Sequence, residues 1–349
     1  MKKIFSLIFI LSITICFSQQ KKRYDIRTVA FYNLENLFDT INDITKNDEA
    51  SPIMKLRENR SKVYWDKIAK LSEVISQIGK EKTKTSPAIL GIAEAENNTV
   101  LQNLINTKKL KGMYDIIHFD SPDERGIDVA LLYQKKYFTP THYEVFNPNI
   151  YVENRKKHTR DILLVTGYLD NELVHIIINH WPSRRGGEEK SSPLREKAAY
   201  KVTQIIQKIR NQDENGKILI MGDFNDDPIN SSFKNVLKTK RKKRNVNKQD
   251  IYNPYEDMFR RGFSTLGHRD QLHLFDQILI SSSLLNKNKK DFSSYKLFNA
   301  SIFNKQFLIN KKGRYKGYPK RSFSRGKYTG GYSDHYPVYI HLIRETNSY

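Results

Sequence analysis

Six short strings set carboxylates, amides and imidazoles at the ends of apolar runs, and their residue types fit hydrolysis of a phosphate ester. In Ile218-Leu219-Ile220-Met221-Gly222-Asp223-Phe224-Asn225 the apolar run stops at Gly222, and strand period two puts Asp223 and Asn225 on one face with Phe224 turned to the core. A carboxylate beside an amide suits in-line attack of water on phosphorus. One group orients and deprotonates the water, and the other stabilises charge on a non-bridging oxygen. Glu94 closes the run Ile89-Leu90-Gly91-Ile92-Ala93. A carboxylate at such a rim suits Mg²⁺, which takes one or two protein carboxylates and completes its shell with water and substrate phosphate. Glu96 and Asn97 beside it read as helix-cap residues. His180 ends the run Ile176-Ile177-Ile178-Asn179, and Arg184 and Arg185 follow in a glycine loop able to grip a phosphate. His335 in Ser333-Asp334-His335 needs a carboxylate on its other ring nitrogen to hold one tautomer, and either Asp276, inside Leu274–Ile280, or Asp334 can supply it. Asn33 and Glu35, in Phe31–Asp39, read alone as a turn former and a solvated carboxylate.

These groups need rigid elements to hold them. Strands are expected at Arg27–Leu34, Pro87–Ala93, Ile127–Tyr133, Lys217–Met221 and Leu274–Ser281, with a hairpin Asp161–Leu169/Glu172–Asn179 turning at Asp170-Asn171. Ser61–Ile78 carries Tyr64, Ile68, Leu71, Val74, Ile75 and Ile78 at helical spacing, with Ser61 as N-cap and Gly79 past the end. A second helix is expected from Ser192-Pro193 to about Arg210. Strands alternating with helices indicate α/β or α+β layers, and with no repeat and no proline-rich linker one large domain over residues 19–349 is expected. Two basic insertions interrupt it. Residues 234–248 hold eight Lys and Arg and no acid, and residues 286–328 interleave Lys and Arg with Tyr295, Tyr315, Tyr318, Phe323 and Tyr328. They read either as solvated loops or as surfaces that neutralise phosphates and stack on bases.

The chain has 349 residues, a formal charge of +22 and 38% hydrophobic residues, which excludes collagenous and wholly disordered classes. Lys2 and Lys3, the apolar run Ile4–Phe17 and the small residues Cys16 and Ser18 form an expected signal peptide over residues 1–18. Cleavage near Ser18 removes the one cysteine, so disulfides and thiolate chemistry are excluded from the exported protein. No later stretch is apolar enough for a membrane span. There is no His-Glu-x-x-His or paired-cysteine spacing, no Gly-x-Ser-x-Gly elbow and no phosphate-cradling glycine loop, which removes zinc-hydrolase, serine-hydrolase and nucleotide-cofactor readings. His118, His142, His158, His175, His268, His273 and His341 lack ligand spacing and are expected to be structural or exposed.

Taken in order, Asn33 with Glu35, Glu94, Asn179-His180, Gly222-Asp223-Phe224-Asn225, Asp276 and Ser333-Asp334-His335 resemble the motifs of the endonuclease/exonuclease/phosphatase superfamily. Phe31–Asp39, Arg125–Tyr133 and His180–Gly187 look most like its secreted bacterial, deoxyribonuclease-type members. The resemblance spans about Arg27–Ile343 and implies an α/β (α+β) fold, a four-layer α/β sandwich of two packed mixed β-sheets flanked by helices. It further implies that Glu94 is the main Mg²⁺ ligand, with Asn33 and Glu35 supporting metal and phosphate and Asp334 joining the shell. Asp223 matches the group that activates water, Asn225 a hydrogen-bond donor to the transition state, His335 assisted by Asp276 the histidine on the scissile phosphate, and His180 a second histidine. Arg125, Arg184 and Arg185 are the expected phosphate grips.

The function expected is therefore an exported, Mg²⁺-dependent phosphodiesterase that cleaves nucleic acid, DNA or RNA, as a low-specificity endonuclease. Mn²⁺ as substitute and Ca²⁺ as structural ion stay open. The alternatives are a phosphoesterase acting on a lipid headgroup or small ester, and a catalytically silent nucleic-acid binder. No obligate protein partner is expected.

Overall fold

The computed structural model describes residues 22–268, 270–286 and 291–346. The expected signal peptide lies outside the described residues. In chain order the first half contains β1 (Arg23–Leu37), α1 (Arg60–Ile75), α2 (Lys80–Thr83), β2 (Ile89–Ala95), α3 (Asn98–Ile105), β3 (Tyr114–His118), β4 (Asp128–Gln134), β5 (Phe138–Phe146), β6 (Tyr151–Val152), β7 (Arg155–Lys156), β8 (Ile162–Leu169) and β9 (Glu172–His180). The second half contains α4 (Glu188–Gln212), β10 (Lys217–Asp223), β11 (Ile251–Tyr252), α5 (Tyr255–Arg260), β12 (Leu266–His268), β13 (Gln271–His273), β14 (Asp276–Ser281), β15 (Lys296–Ile302), β16 (Phe323–Ser324), β17 (Lys327–Tyr328) and β18 (Val338–Thr346).

Two six-stranded mixed sheets carry the architecture, in the orders β15-β18-β1-β2-β4-β3 and β11-β14-β10-β9-β8-β5. Each has one parallel pair near its middle, β1 with β2 and β9 with β10, and antiparallel partners elsewhere. Both faces of the central strands are covered, which is why their sequences run apolar without alternation. Val29 and Phe31 of β1 enter the core between the sheets with Ile176, Ile178, Leu219 and Met221. Ala30 and Tyr32 face the other way, onto Ile68, Leu71 and Ile75 of α1. On the far side Ile177, Ile218 and Ile220 meet Ala198, Val202 and Ile205 of α4. Helix, sheet, sheet and helix layers result, as the resemblance implied. The sheets approach closely at Gly91, where a Cβ would lie 2.6 Å from Met221 Sδ.

Several boundaries move for physical reasons. α1 begins one residue before Ser61, which is thus inside the helix rather than its cap, and Gly79 takes the left-handed turn that follows, at φ +68°. α4 starts at Glu188 instead of Ser192 and carries Pro193 inside. Glu188 and Glu189 in its first turn complement the helix dipole and extend it by a turn. The hairpin turns at Asp170 (φ +43°) and Asn171 (φ +71°), the left-handed pair a two-residue connection needs. Residues 286–328 are not all loop, since β15 pairs with β18 at the edge of the first sheet and Tyr295 and Phe323 are buried.

Candidate active site

Strands of a parallel pair end at the same edge, so the C-terminal ends of β1, β2, β9 and β10 gather at one end of the sandwich. β14 runs antiparallel to β10 and β18 antiparallel to β1, so they begin where the others finish, with Asp276 opening β14 and His335 just ahead of β18. All six strings therefore meet at one edge. There the backbone leaves regular geometry. Pairing of β2 with β4 slips between Ala93 and Ala95, leaving Glu94 as a bulge residue at φ +64°. β1 slips against β2 between Asn33 and Leu37, with Glu35 at φ +52° and Asn36 at φ +49°. Left-handed backbone at such residues costs on the order of 1 kcal/mol or more each, and a bulge re-aims its side chain.

Side-chain caps fix these bends. Asn33 Oδ1 accepts the Glu35 N–H at 2.9 Å, and Asp223 Oδ1 accepts the Asn225 N–H at 3.0 Å. The strand alternation expected for Asp223 and Asn225 is thereby corrected: β10 ends at Asp223, and this turn, with Asn225 at φ +51°, brings the amide to the same side. Phe224 does enter the core, against Trp181 and Phe233.

At the centre, Asn33 Nδ2 donates to Asp223 Oδ2 at 3.0 Å. His180 Nε2 lies 3.6 Å from Asp223 Oδ2 and 3.8 Å from Glu94 Oε1, while Glu94 Oε2 accepts the Asn36 N–H at 2.8 Å. His335 Nδ1 is 2.7 Å from Asp276 Oδ2, which resolves the choice between Asp276 and Asp334 as its partner. His335 Nε2 faces Asp223 Oδ2 at 3.9 Å and Asp334 Oδ1 at 4.0 Å. Burial pushes the Asp223 carboxyl up from its ordinary range, against the pull of His335. Burial opposes charge on His335 too, but Asp276 and Asp223 outweigh it and hold the imidazolium well above its usual value. His180 goes the other way: burial first, then Arg160 and Arg125, depress it and keep it neutral. Asn225 Nδ2 spends one hydrogen on the Trp181 carbonyl at 3.0 Å and has a second to give.

The outlying residues fall into different surroundings. The Glu35 carboxylate accepts the backbone N–H groups of Ser322 (2.5 Å) and Phe323 (3.3 Å), with Arg321 Nε at 3.4 Å. Asp334 is bound to the same guanidinium at 2.9 Å. Arg184 is consumed by the Asn225 carbonyl, Glu188, Asp227 and Asn230 at 2.8–3.2 Å, a strut under the Asn225 turn. Arg185 is exposed in the glycine loop, and Arg125 is half-exposed beside Asp123. In the first basic segment, Lys234, Lys240, Arg241 and Lys248 pair with Glu256, Asp250, Asp257 and Glu214. The shallow basic hollow along Lys234–Asn245 shares no residue with the catalytic edge.

Arg160 and Lys67 escaped the sequence reading because nothing in their local strings marks them, and Arg321 was read there only as one cation of the basic insertion 286–328. Arg160 is buried, bonded to Asp123 at 3.1 Å and to the Trp181 carbonyl at 2.5 Å, and sits within electrostatic reach of Glu94 and His180. Lys67, on the buried face of α1, donates to the Glu35 carbonyl (2.7 Å) and Ser322 Oγ (2.8 Å). Arg321 links Glu35 to Asp334. A basic residue on a helix reads as solvated until tertiary packing buries it.

Glu94, His180 and Asp223 each offer one ligand atom within 4.8 Å of the others, as do Asp223, Asp276 and His335. The first set includes His180, whose Nδ1 is buried without a partner. Two carboxylates beside a neutral imidazole fit a divalent cation. His118, Asp120 and Asp128 form a further set, but Asp128 is already spent on His118 and the Ser121 N–H.

Among solved structures, a humanized D. rerio TDP2 matches with TM-score 0.55 and 13% identity over 91% of this chain and 98% of the other. A Bacteroides thetaiotaomicron mannosyl-6-phosphatase matches with TM-score 0.53 and 16% identity over 90% and 99%. D. rerio TDP2 complexed with a single-strand DNA product matches with TM-score 0.52 and 13% identity over 91% and 98%. At these identities the likeness is one of fold. No curated protein sequence matches. The family model described as endonuclease/exonuclease/phosphatase family covers residues 28–344, and with the same motifs now gathered at one edge of the same sandwich, the chain belongs to that family of metal-dependent phosphoesterases.

Proposed function

We propose that this chain is a divalent-metal-dependent phosphodiesterase that hydrolyses nucleic acid, cutting internally with low sequence specificity. The observation that carries the reading is the facing pair Asp223 and His335 beside Glu94, a base made more basic by burial and an acid kept protonated by Asp276 and Asp223, around one small space. Asp223, raised by burial and fixed by Asn33 and the Asn225 turn, is a carboxylate able to take a proton near neutral pH. His335, kept charged by Asp276, presents its Nε2–H to a non-bridging phosphate oxygen, and the second amide hydrogen of Asn225 meets the charge that develops there. Neutral His180 adds a further nitrogen beside Glu94. A divalent cation held at Glu94, Mg²⁺ in this reading, supplies Lewis-acid stabilisation of the phosphate and leaving oxygen.

Nucleic acid is favoured as substrate by the +22 charge, which a polyanion complements. The TDP2 relative with a single-strand DNA product has the same fold. The phosphatase among the relatives keeps a sugar phosphate as the second reading. The discriminating assay is nicking of supercoiled plasmid with Mg²⁺, beside EDTA and Asp223→Ala controls. Nicking by the wild type alone supports the proposal. Silence on plasmid together with phosphate release from a hexose phosphate or phospholipid sinks the nucleic-acid part. We also propose export by cleavage near Ser18, which a mature N-terminus located elsewhere would refute.

A further inference from the structure

The hairpin β12–β13 stands between two clefts, and His268 lines both. One, of about 810 Å³, runs along Arg185, Gly186, Gln271 and Phe275 and ends at Asn225. The other, of about 580 Å³, is walled by Tyr315, Tyr318 and Lys320 and ends at Arg321 and Asp334. Each cleft thus opens beside a residue of the catalytic edge, and a phosphodiester has two arms to place. β12–β13, Thr329 and Asp334 supply part of the second cleft's lining, and most of it comes from the basic insertion. That segment brings five tyrosines and phenylalanines singled out by the sequence, but the fold uses three of them as structure. Tyr295 is fully buried with its hydroxyl on Asp170 at 2.7 Å, Phe323 is buried, and Tyr328 is bound to Asp66 at 2.5 Å. Tyr318 and Tyr315 remain on the cleft. Tyr318 is pinned against Gly267, where a Cβ would lie 2.2 Å from its ring. Tyr315 is 48% exposed, its ring centroid 5.8 Å from that of Tyr318 and tilted by 50°. The cations are graded along the same wall. Arg321 is anchored by Asp334 and Glu35 at the inner end, Arg314 is anchored by Asp270 on the outer side, and Lys320 forms no ion pair among the described residues.

Resting on the phosphodiesterase reading, we propose that this cleft is a stacking subsite for one nucleobase, that of the nucleotide carrying the scissile phosphate. One guanidinium, Arg321, half of its side chain still exposed, lies at the inner end beside Asp334, and an aromatic wall lies further out, which is the order of phosphate and base in a nucleotide. Aromatic platforms hold bases of any identity through their π-faces. A base paired in a duplex cannot reach such a wall without being unstacked, so the subsite favours internal positions that are single-stranded or locally opened, as supercoiling provides, over intact helix.

The test compares three esters that release the same 4-nitrophenolate: thymidine 5′-(4-nitrophenyl phosphate), its thymidine 3′ isomer and methyl 4-nitrophenyl phosphate, each with Mg²⁺. One thymidine ester should show a KM about tenfold below that of the methyl ester, and Tyr315→Ala should erase that advantage while Tyr315→Phe keeps it. The proposal is overturned if Tyr315→Ala leaves the advantage intact, if neither thymidine ester has one, or if a mannose 6-(4-nitrophenyl phosphate) gains equally, which would mark a sugar site. Hydrolysis of none of the esters would refute the phosphodiesterase reading separately. The subsite would then be read by 2-aminopurine nucleoside 5′-monophosphate, whose fluorescence wild type should quench and Tyr315→Ala should not; absence of quenching overturns it.

Discussion

Asp276→Asn changes one charge at the catalytic edge and almost nothing of its shape. Asp276 is fully buried, and its Oδ2 accepts the Nδ1–H of His335 at 2.7 Å. The amide oxygen of Asn can accept the same hydrogen, so ring orientation survives while the bond loses its charged acceptor. Hydrogen bonds to charged groups contribute about 1.5–3 kcal/mol and neutral ones about 0.5–1.5 kcal/mol, so the difference is about 1–2 kcal/mol. If that stabilisation is felt in the transition state, kcat falls by about 5- to 30-fold. The pH profile carries the sharper signature. Asp276 is the leading group that raises His335 against the burial that would lower it, so its removal lets the imidazolium deprotonate at lower pH. The alkaline limb of kcat should therefore move down in the variant. The assay is kcat and KM for a chromogenic phosphodiester across pH at saturating divalent cation, with urea unfolding to establish that the variant is folded. Wild-type kcat together with an unmoved alkaline limb would refute the role given to the pair.

Gly222→Ala should destabilise the protein by about 1–3 kcal/mol in urea unfolding, because overpacking strains a filled site; the new Cβ would lie 2.4 Å from the Asn179 carbonyl oxygen and force β9 from β10 where they hold His180 and Asp223. Arg184→Ala and Arg185→Ala should separate cleanly: the first lowers the urea midpoint because it breaks the strut onto Asp227 and Asn230, while the second leaves the midpoint in place, raises KM for nucleic acid and reduces the log-log salt slope by about one. His175, depressed from its ordinary value of 6.5 by burial, favours the folded state above that value and loses its contribution as pH falls below it, since the unfolded chain then binds the proton first. The drop in stability between pH 7.5 and 5.5 should accordingly be smaller in His175→Gln, and superimposable wild-type and variant curves would count against it.

Strand ends were readable in the sequence because both faces of β2, β9, β10 and β14 are buried, and burial on both faces writes an unbroken apolar run that stops where the chemistry begins. Asp223 and His180 were legible for that reason, whereas His335, just ahead of β18, was legible from the string Ser333-Asp334-His335. Which carboxylate serves His335 was not, because Asp276 and Asp334 are equally plausible along the chain and only the antiparallel pairing of β14 with β10 puts Asp276 opposite Asp223. Arg184 and Arg185 look identical in the string His180–Gly187. Buried acids from another loop, Asp226 and Asp227, turn one into a strut and leave the other in solvent. The helix start at Glu188 was missed because serine followed by proline outweighed the acids upstream as a cap signal, although acids in a first turn carry the same dipole information.

The long basic insertion alters the electrostatics of the edge from a distance in sequence that no local reading spans. Glu35 is nearly completely buried, and burial raises its carboxyl, with Asp334 adding to the effect. Left alone, such an acid would either draw a cation or take up a proton. Instead Arg321, the Ser322 and Phe323 N–H groups and Lys67 surround it, so its charge is answered by the chain itself. Asp334 shares the same guanidinium. Among the described residues Glu94 accepts only the Asn36 N–H on one oxygen, with the other turned toward His180. Partition of this kind leaves Glu94 as the less committed acid of the edge, beside Asp223 whose two oxygens are held by Asn33 and the Asn225 N–H, and it is at Glu94 that a divalent cation would be held. It also makes Arg321 common to the acids of the edge and to the aromatic cleft. In the proposed subsite a phosphate at the inner end would meet that guanidinium, so the group that steadies Glu35 is also the fixed positive charge nearest the catalytic edge in that cleft.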